Sequence, residues 1–387
     1  MDNVDVIFLA GQHPRPGGPC KVEVPVGISA PMNVKVEGEI DEEEEVEMIG
    51  YLEPLDDSNS TLYVILPDLK ARSEFETSFT PEPVETDEKV VLEKVSDQKI
   101  NVKIGDKLFT SFQYNEGKEA NRPYLYPLMA PSGVGVTRSL PKNKKEGDTK
   151  DHPHHKSCWT AWGDVNGKDN WAYGRTKARQ EVNDVKIEEN PVFGKLTLDI
   201  TWKKPLGGKQ LSETRQIWFY NCKGDKIVDF DIALTAIKKD VKFGDTKEGG
   251  FLSVRVATPM DVPRGGRIEN AFGAVSEEEC WGKRAPWCDY SGEVEGKKVG
   301  VVIFDHVENV NYPTYWHVRD YGLMGANPFG ISYFKGKQHD GSHVLEEGKT
   351  LRFRYRLIVH DGDATDADLA QQYLNWYLPW KTPVFKL

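Results

Sequence analysis

Short runs in which apolar and polar residues alternate recur along the whole chain. In one of them Leu196, Leu198 and Ile200 alternate with three polar residues, which predicts a strand with one buried face and one wet face. The same pattern predicts strands over residues 22–26, 62–66, 195–202, 215–220, 226–235, 251–257, 298–304 and 351–359. The 23 prolines and 35 glycines separate these runs, and such punctuation is typical of an all-β protein.

One helix is predicted, close to the end of the chain. Asp366 or Thr365 can cap a run that continues from Asp368 to Trp376 with apolar residues at helical spacing. Everything else predicts strands and turns.

Two domains are predicted from the pattern of strands and linkers. Residues 1–85 are expected to form a small N-terminal β-sandwich module. A proline-rich, acidic stretch around Pro81, Pro83, Glu85 and Asp87 has the composition of a linker. Residues 86–387 are then expected to form one large β unit that carries the functional site.

Composition limits the classes of function. The 387 residues are 38% hydrophobic and 29% charged, as in a globular protein, and the formal net charge of −11 argues against a nucleic-acid partner. No run reaches the roughly 18 apolar residues that a membrane helix needs, and no leader is visible, so we expect a cytoplasmic protein without a membrane partner; a removed signal peptide stays open. The five cysteines share no C-x-x-C spacing and fit reduced thiols.

Several common catalytic motifs are absent from the sequence. There is no G-x-x-x-x-G-K-[ST] phosphate loop, no G-x-G-x-x-G after a strand, no G-x-S-x-G elbow and no H-E-x-x-H helix. These absences argue against a nucleotide-dependent enzyme and a serine hydrolase, but they leave open a site assembled from separate strands.

The densest polar cluster is Asp-His-Pro-His-His-Lys-Ser-Cys-Trp at residues 151–159. Pro153 prevents a helix, so extended backbone would place His152 and His154 on one side and His155 on the other. That arrangement can supply two metal ligands or a general acid with a neighbour that tunes its pKa. The alternative is a surface loop, or a histidine satisfied in the core. Trp159, Trp162, Asp164 and Asn166 follow the histidines and are candidate substrate-binding residues.

Two further clusters lie towards the end of the chain. In the first, Trp281 and Trp287 flank Arg284, and indole faces beside charged groups suit a sugar; the alternative is a hairpin whose tryptophans cover the core edge. The second cluster holds His306, His317, Arg319 and Asp320, which can form an acid/base pair or bind a carboxylate.

Glu248, next to two glycines and just before a predicted strand, can act as a base opposite a histidine. A solvated turn residue is the alternative for this position.

Several motifs together resemble the PmoA-like family of uncharacterised bacterial proteins. They are Arg-Pro-Tyr-Leu-Tyr-Pro-Leu at 122–128, Val-Thr-Arg at 136–138, the histidine-rich run at 151–157, Gly-Asp-Val-Asn-Gly at 163–167, Trp-Gly-Lys-Arg-Ala at 281–285, Tyr-Pro-Thr at 312–314 and Arg-Asp-Tyr-Gly at 319–322. The resemblance covers residues 100–387. The methane oxygenase label attached to that family looks like a misnomer, because this chain has no membrane helices.

The resemblance implies a twisted two-sheet β-supersandwich, similar to galactose mutarotase and the other aldose 1-epimerases. In those enzymes a histidine acts as acid and a glutamate as base at the anomeric carbon of a sugar. By that analogy His154 or His155 would be the acid and Glu248 the base.

These observations lead to a predicted carbohydrate-active enzyme that uses histidine and glutamate in acid–base chemistry on a glycoside or an oxidised (keto) sugar. Hydrolysis, elimination and epimerisation all need these groups, and the sequence does not choose among them. The predicted catalytic residues are His154, His155, Glu248, His306 and His317. The predicted substrate-binding residues are Arg138, His152, Trp159, Trp162, Asp164, Asn166, Trp281, Arg284, Trp287, Arg319 and Asp320.

The alternative function is a non-catalytic carbohydrate-binding protein. In either case the expected partner is a small carbohydrate, and a homo-oligomer is an option. The cofactor is left open, with a divalent metal held by His152, His154 and His155 as one option.

Overall fold

The structure is a computed structural model that describes residues 3–117, 121–139, 144–174, 177–378 and 380–386, the last six of these through their backbone. Its first six strands are β1 (Val4–Leu9), β2 (Gly18–Val24), β3 (Met32–Ile40), β4 (Glu44–Pro54), β5 (Ser60–Leu66) and β6 (Glu74–Phe79). They form one antiparallel sheet, the first sheet, in the order β2-β5-β4-β3-β6-β1, which the last strand of the chain, β25 (Lys381–Lys386), completes by pairing with β1. In β5 every second residue is buried in a core that belongs to this sheet.

The remaining strands build a larger unit. In chain order they are β7 (Val91–Ser96), β8 (Lys99–Ile104), β9 (Lys107–Gln113), β10 (Tyr124–Leu128), β11 (Cys158–Trp162), β12 (Arg179–Glu189), β13 (Phe193–Lys203), β14 (Lys209–Tyr220), β15 (Lys226–Ala236), β16 (Val241–Phe243), β17 (Gly249–Arg255), β18 (Arg267–Asn270), β19 (Trp287–Val294), β20 (Lys297–Asp305), β21 (Tyr315–Arg319), β22 (Leu323–Asn327), β23 (His343–Leu345) and β24 (Thr350–Asp361). The second sheet has the order β21-β22-β17-β11-β10-β9-β8-β7, and the third sheet β12-β13-β14-β15-β24-β20-β19-β18. Strands β16 and β23 pair separately.

One hydrophobic core lies between the second and third sheets and takes residues from both. Phe251 of β17 stacks on Phe353 of β24, with ring centroids 4.1 Å apart. The expected fold class, an all-β two-sheet sandwich preceded by a smaller β module, is confirmed. All eight predicted strands overlap observed strands. The five cysteines are free, as predicted, and all five are buried.

The helices are short. They are α1 (Ser276–Cys280), α2 (Ile331–Lys335) and α3 (Leu369–Tyr377), with single 3₁₀ turns at Thr258–Met260 and Val262–Arg264. The predicted helix is α3, but its predicted cap is wrong: Asp368 precedes the helix with φ 48° and makes no side-chain cap. Thr365 and Asp366 instead donate their backbone N–H groups to Asp363 Oδ1 in a turn. No helix in the described ranges is long and apolar enough to cross a membrane.

A buried ion pair on the third sheet gives a test of the fold. Gly300 lies directly opposite His360 in the β20–β24 ladder, and a Cβ at position 300 would lie 2.3 Å from His360 Cε1. His360 Nε2 is 3.0 Å from Asp289 Oδ1, and both side chains are fully buried. We expect Gly300→Ala to displace the imidazole and lower the free energy of unfolding by about 3 kcal/mol.

Urea denaturation measures this effect, with Gly224→Ala as a control because a Cβ there meets no atom within 4 Å. The control should change the free energy of unfolding by no more than about 0.5 kcal/mol. Equal stability of both variants would contradict the predicted clash.

Candidate functional site

The candidate site lies on the outer face of the second sheet, away from the main core. Strand alternation produces this face: in β21, Trp316 and Val318 enter the core, while His317 between them belongs to the opposite face. Trp159 and Trp171 pack there in a small cluster of their own with Tyr124, Ala161 and Leu323.

The histidine-rich segment turns back on itself above this face. The His155 N–H donates to the His152 carbonyl at 2.9 Å, and His152 has a left-handed φ of 42°. The expectation of extended backbone was therefore wrong, because Pro153 excludes a helix but is equally compatible with a β-turn. The turn stacks the rings of His152 and His155, with centroids 4.8 Å apart, and sets His154 edge-on to His155 at 4.4 Å.

Asp151 connects the turn to two buried arginines. Arg255 Nη1 donates to Asp151 Oδ2 at 2.9 Å, and Arg138 Nη1 donates to Oδ1 at 3.0 Å. Both guanidinium groups are completely buried, whereas the Asp151 side chain is about one-third exposed. Burial alone would raise the pKa of Asp151, but the hydrogen bonds from Arg255 and His152 hold it well below its usual value. Asp151 is thus a carboxylate anchor between two fixed positive charges.

The same carboxylate positions His152. Asp151 Oδ2 is 2.7 Å from His152 Nδ1, which leaves Nε2 at the other end of a half-exposed ring. Tyr321 stacks on the His152 ring at 4.8 Å with an interplanar angle of 8°. Arg255 lies 4.8 Å from the Tyr321 ring centroid. One carboxylate and one aromatic face therefore fix the position of His152.

The other histidines of the site are neutral near pH 7. Burial, followed by the charges of Arg122 and His152, lowers the pKa of His154 to about 3. Burial and the charges of Lys247 and Arg319 likewise lower the pKa of His317 to about 3. The pKa of His155 lies well below its usual value, again chiefly because of burial. Their uncharged rings can accept a proton or share a hydrogen bond, but they cannot deliver a proton as imidazolium.

Several buried polar atoms of the site have no hydrogen-bond partner among the described residues. They include His155 Nε2, Trp159 Nε1, Trp171 Nε1 and the Tyr173 hydroxyl. Neither ring nitrogen of His317 makes a hydrogen bond of normal geometry, although the Lys247 backbone lies close enough to raise the His317 pKa slightly. Such atoms are rare in folded proteins, and several of them lie together under this face.

A bound metal ion needs several side-chain ligands placed around it. Across the described ranges, no three His, Cys, Asp or Glu side chains are arranged to hold a metal ion.

The structure brings together part of the predicted site. His152, His154, His155, His317, Trp159 and Arg138 lie on or under this face. Arg319 is at its edge, 5.5 Å from the Tyr321 ring centroid, and pairs with Glu277. The next residue, Asp320, donates its backbone N–H to the same carboxylate.

Glu248 also lies at the edge of the site. Its backbone carbonyl accepts from Gly163, and its half-exposed carboxylate pairs with Lys247 Nζ at 2.6 Å. Burial is the main cause of the raised pKa of Tyr321, and the nearby charge of Glu248 adds to it.

The residues predicted after the histidines belong to the core or to a turn. Trp162 is fully buried, stacks on Phe251 at 5.2 Å and donates its indole N–H to a backbone carbonyl. Asp164 accepts from the Gly167 N–H, and Asn166 accepts from the Lys242 N–H. These three side chains shape the β11–β16 region and do not lie with the histidines.

The predicted tryptophans of the second cluster also lie elsewhere. Trp287 packs beneath α3, and Trp281 packs edge-on against Phe334.

Arg284 and His306 are also separate from the histidine cluster. Arg284 donates to the carbonyls of Pro313 and Tyr312 at 2.7 and 2.8 Å and so holds a loop. His306 lies edge-on to Trp376, next to the third sheet.

Sequence reasoning missed the side chains that support the turn. Arg122 is buried and donates to the carbonyls of His154, Asn170 and Trp171 at 2.7–2.8 Å. Tyr321 and Asp151 were seen only as neighbours of candidate residues. One signal in the sequence could have identified Arg122 as a supporting residue. It precedes Tyr124 and Tyr126, and an arginine that is buried must have acceptors in fixed positions.

Comparison with known proteins places the chain in a family. A model of DUF6807, a family of unknown function, matches residues 99–374. The chain belongs to the DUF6807 family. The matched residues include all the histidines of the site, and the PmoA-like label stays a prediction. No curated protein matches the chain.

Solved structures give distant matches. A protein in the glycosyl hydrolase family 38 and an alpha-mannosidase, both from Enterococcus faecalis, are 10% and 9% identical, each with a TM-score of 0.48 over the whole chain. This chain spans about half of each, 47% and 46%. A galactose mutarotase related enzyme from Lactobacillus acidophilus is 10% identical, with a TM-score of 0.31, over 70% of this chain and 97% of its own. At these TM-scores the likenesses carry no argument about function.

Proposed function

We propose that this member of the DUF6807 family is an enzyme that transfers protons on a carbohydrate substrate, with His152 and Asp151 as the proton-transfer pair. The observation that carries the proposal is the Asp151–His152 contact at 2.7 Å, anchored from below by Arg138 and Arg255. A carboxylate that holds one imidazole nitrogen fixes the tautomer, so that the other nitrogen can accept a proton and then return it.

The neutral histidines have a different role in this proposal. The sequence suggested His154 or His155 as the acid, but their lowered pKa values disfavour the protonated form. We assign His154, whose partly exposed ring lies 5.7 Å from that of His152, as a hydrogen-bonding group that orients substrate hydroxyls. Glu248, half-exposed at the edge of the site, is then the second carboxylate group available for proton transfer.

The carbohydrate class rests on two supports. Four of the seven motifs that resemble the PmoA-like family, at residues 122–128, 136–138, 151–157 and 319–322, lie at this face. In addition, Tyr321 and Tyr173 place partly exposed aromatic rings beside the histidines, a combination that suits the C–H faces and hydroxyls of a sugar. Glycosidases usually need two carboxylates that reach the substrate, but Asp151 is already bound by Arg138, Arg255 and His152. A histidine-based elimination or epimerisation therefore fits these residues better than hydrolysis.

Turnover on a sugar panel tests the proposal. Aryl glycosides, their 3-keto forms and free aldoses are incubated with the wild-type chain, with His152→Ala and with His339→Ala, a control at an exposed histidine outside the site. We expect product from at least one substrate, a rate at least about 100-fold lower in His152→Ala, and an unchanged rate in His339→Ala.

The product identifies the reaction. Sugar binding without turnover by any of the proteins would replace the proposal with the non-catalytic carbohydrate-binding alternative. Equal turnover by wild type and His152→Ala would remove the proton-transfer pair from the mechanism.

A further inference from the structure

A cavity of about 570 Å³ lies between the first sheet, the third sheet and α3. It is separate from the histidine site, which is on the outer face of the second sheet. Cys20 and Lys21 of β2 line one wall, and Asn375 and Trp376 of α3 line another.

The floor of the cavity is the outer face of the third sheet. Three neighbouring strands contribute alternate residues to it: Gln216, Trp218 and Tyr220 from β14, Asp229 and Asp231 from β15, and Arg352, Arg354 and Arg356 from β24. The register aligns them in rows across the strands, because Trp218 is opposite Asp229 and Asp229 is opposite Arg356. Planar aromatic, carboxylate and guanidinium groups therefore lie side by side on one surface.

The charges on this floor neutralise one another. Arg356 donates from Nε and Nη2 to the two oxygens of Asp229 at 2.7 and 2.8 Å. Arg352 makes the same two-pronged contact with Asp231, and Arg354 pairs with Asp231 and Glu308. Because every guanidinium already has a carboxylate, the surface does not select an anion. It presents fixed donors and acceptors that match neutral hydroxyl groups.

Aromatic rings supply the apolar part of the lining. Trp218 is only partly buried on the floor. Trp376, Tyr63 and Trp380 line the same cavity. His306, one of the predicted catalytic residues, is also part of the lining and lies edge-on to Trp376 at 5.1 Å. Partly exposed indole and phenol rings beside hydroxyl-binding pairs form the combination that sugars require.

The wall formed by α3 is fixed to the N-terminal region. Arg15 Nη1 donates to the Leu378 carbonyl at 2.8 Å, and Asn375 Nδ2 donates to the Pro16 carbonyl at 2.8 Å. Gln371 adds a third bond to the Pro14 carbonyl at 2.7 Å. The cavity is thus held in shape without a ligand, which limits the ordering cost of binding.

We propose that this cavity is a second saccharide-binding site that takes a neutral di- or trisaccharide. Its volume lies within the roughly 300–1,000 Å³ typical of small-ligand pockets. The site recognises the sugar by stacking on Trp218 and by hydrogen bonds to the Asp229–Arg356 and Asp231–Arg352 pairs. It serves binding, and proton transfer takes place at His152 on the other sheet.

Isothermal titration calorimetry tests the site with maltotriose, cellotriose and xylotriose as probes and inorganic phosphate as an anion. Trp218→Ala removes the stacking surface, and Asp231→Asn breaks the paired charges. Phe272→Ala is the control, because that ring is 71% exposed and outside the cavity. Circular dichroism confirms that each variant keeps the fold.

We expect at least one trisaccharide to bind to the wild-type chain. Its affinity should be at least tenfold lower for Trp218→Ala and Asp231→Asn and unchanged for Phe272→Ala. Binding that is lost in His152→Ala but kept in Trp218→Ala would overturn the proposal by placing the sugar at the histidine site. Binding of phosphate in preference to all three sugars, or of no sugar at all, would also overturn it.

Discussion

Asp151→Asn is expected to lower kcat of the proposed reaction about 1000-fold and the free energy of unfolding by about 3 kcal/mol. Asparagine has nearly the same shape, but it lacks the negative charge that two completely buried guanidinium groups share. Its amide also presents N–H groups where Arg138, Arg255 and His152 need acceptors. Without the carboxylate, the turn that carries His152 and His154 is no longer fixed by Arg138 and Arg255. The fall in kcat should therefore exceed that of His152→Ala.

Single-turnover kinetics and urea denaturation measure the two effects on the same samples. Asp340→Asn is a matched control, since Asp340 is exposed and bonds only within its own turn. An Asp151→Asn variant that is destabilised but fully active would show that Asp151 has a structural role alone. Activity loss without destabilisation would show that the arginines find other acceptors.

Acid should destabilise the protein through its buried histidines. The folded-state pKa of His317 is about 3, below the value near 6.5 expected for an unfolded chain. Below pH 6.5 the unfolded state therefore binds a proton that the folded state refuses, and stability falls as the pH falls towards 3. Between pH 7 and pH 5, one fully buried neutral histidine therefore lowers the free energy of unfolding of the protein by about 2 kcal/mol.

The comparison of wild type with His317→Gln isolates this contribution. Other groups act in the opposite direction: burial raises the pKa of Asp305 to about 7 and that of Asp261 to about 6, so both favour the folded state as the pH falls. These carboxyl groups are present in both proteins and cancel in the difference. Denaturation is measured at pH 7 and at pH 5. The free energy of unfolding should fall between these pH values by about 2 kcal/mol less in His317→Gln than in wild type. Equal falls in the two proteins would mean that His317 is protonated in the folded state.

The strands were the most predictable part of the fold. Residues 195–202 were predicted from alternation, and β13 is Phe193–Lys203, because a sheet with one buried face imposes that period on its sequence. The N-terminal cap of α3 was not predictable, because a local turn at Asp363 competes for the same residues. The short α1 and α2 helices contain too few residues to show a helical period.

The candidate site was predictable as a set of residue types but not as a geometry. All five residues of β11 are buried, so alternation did not reveal that Trp159 belongs to the outer face and Trp162 to the core. The separation of His306 from His317 depends on which sheet each strand joins, and this pairing is set by contacts between residues far apart in sequence.

The pairing of β1 with β25 has a consequence for synthesis of the protein. Leu9 and its partner Lys381 are separated by most of the chain. At about 5–20 residues per second, a ribosome needs roughly 20 to 75 s to pass from one to the other. During that interval β1 has an open edge, which other nascent chains can join. We therefore expect chaperone dependence to be concentrated in this interval and to end when β25 emerges.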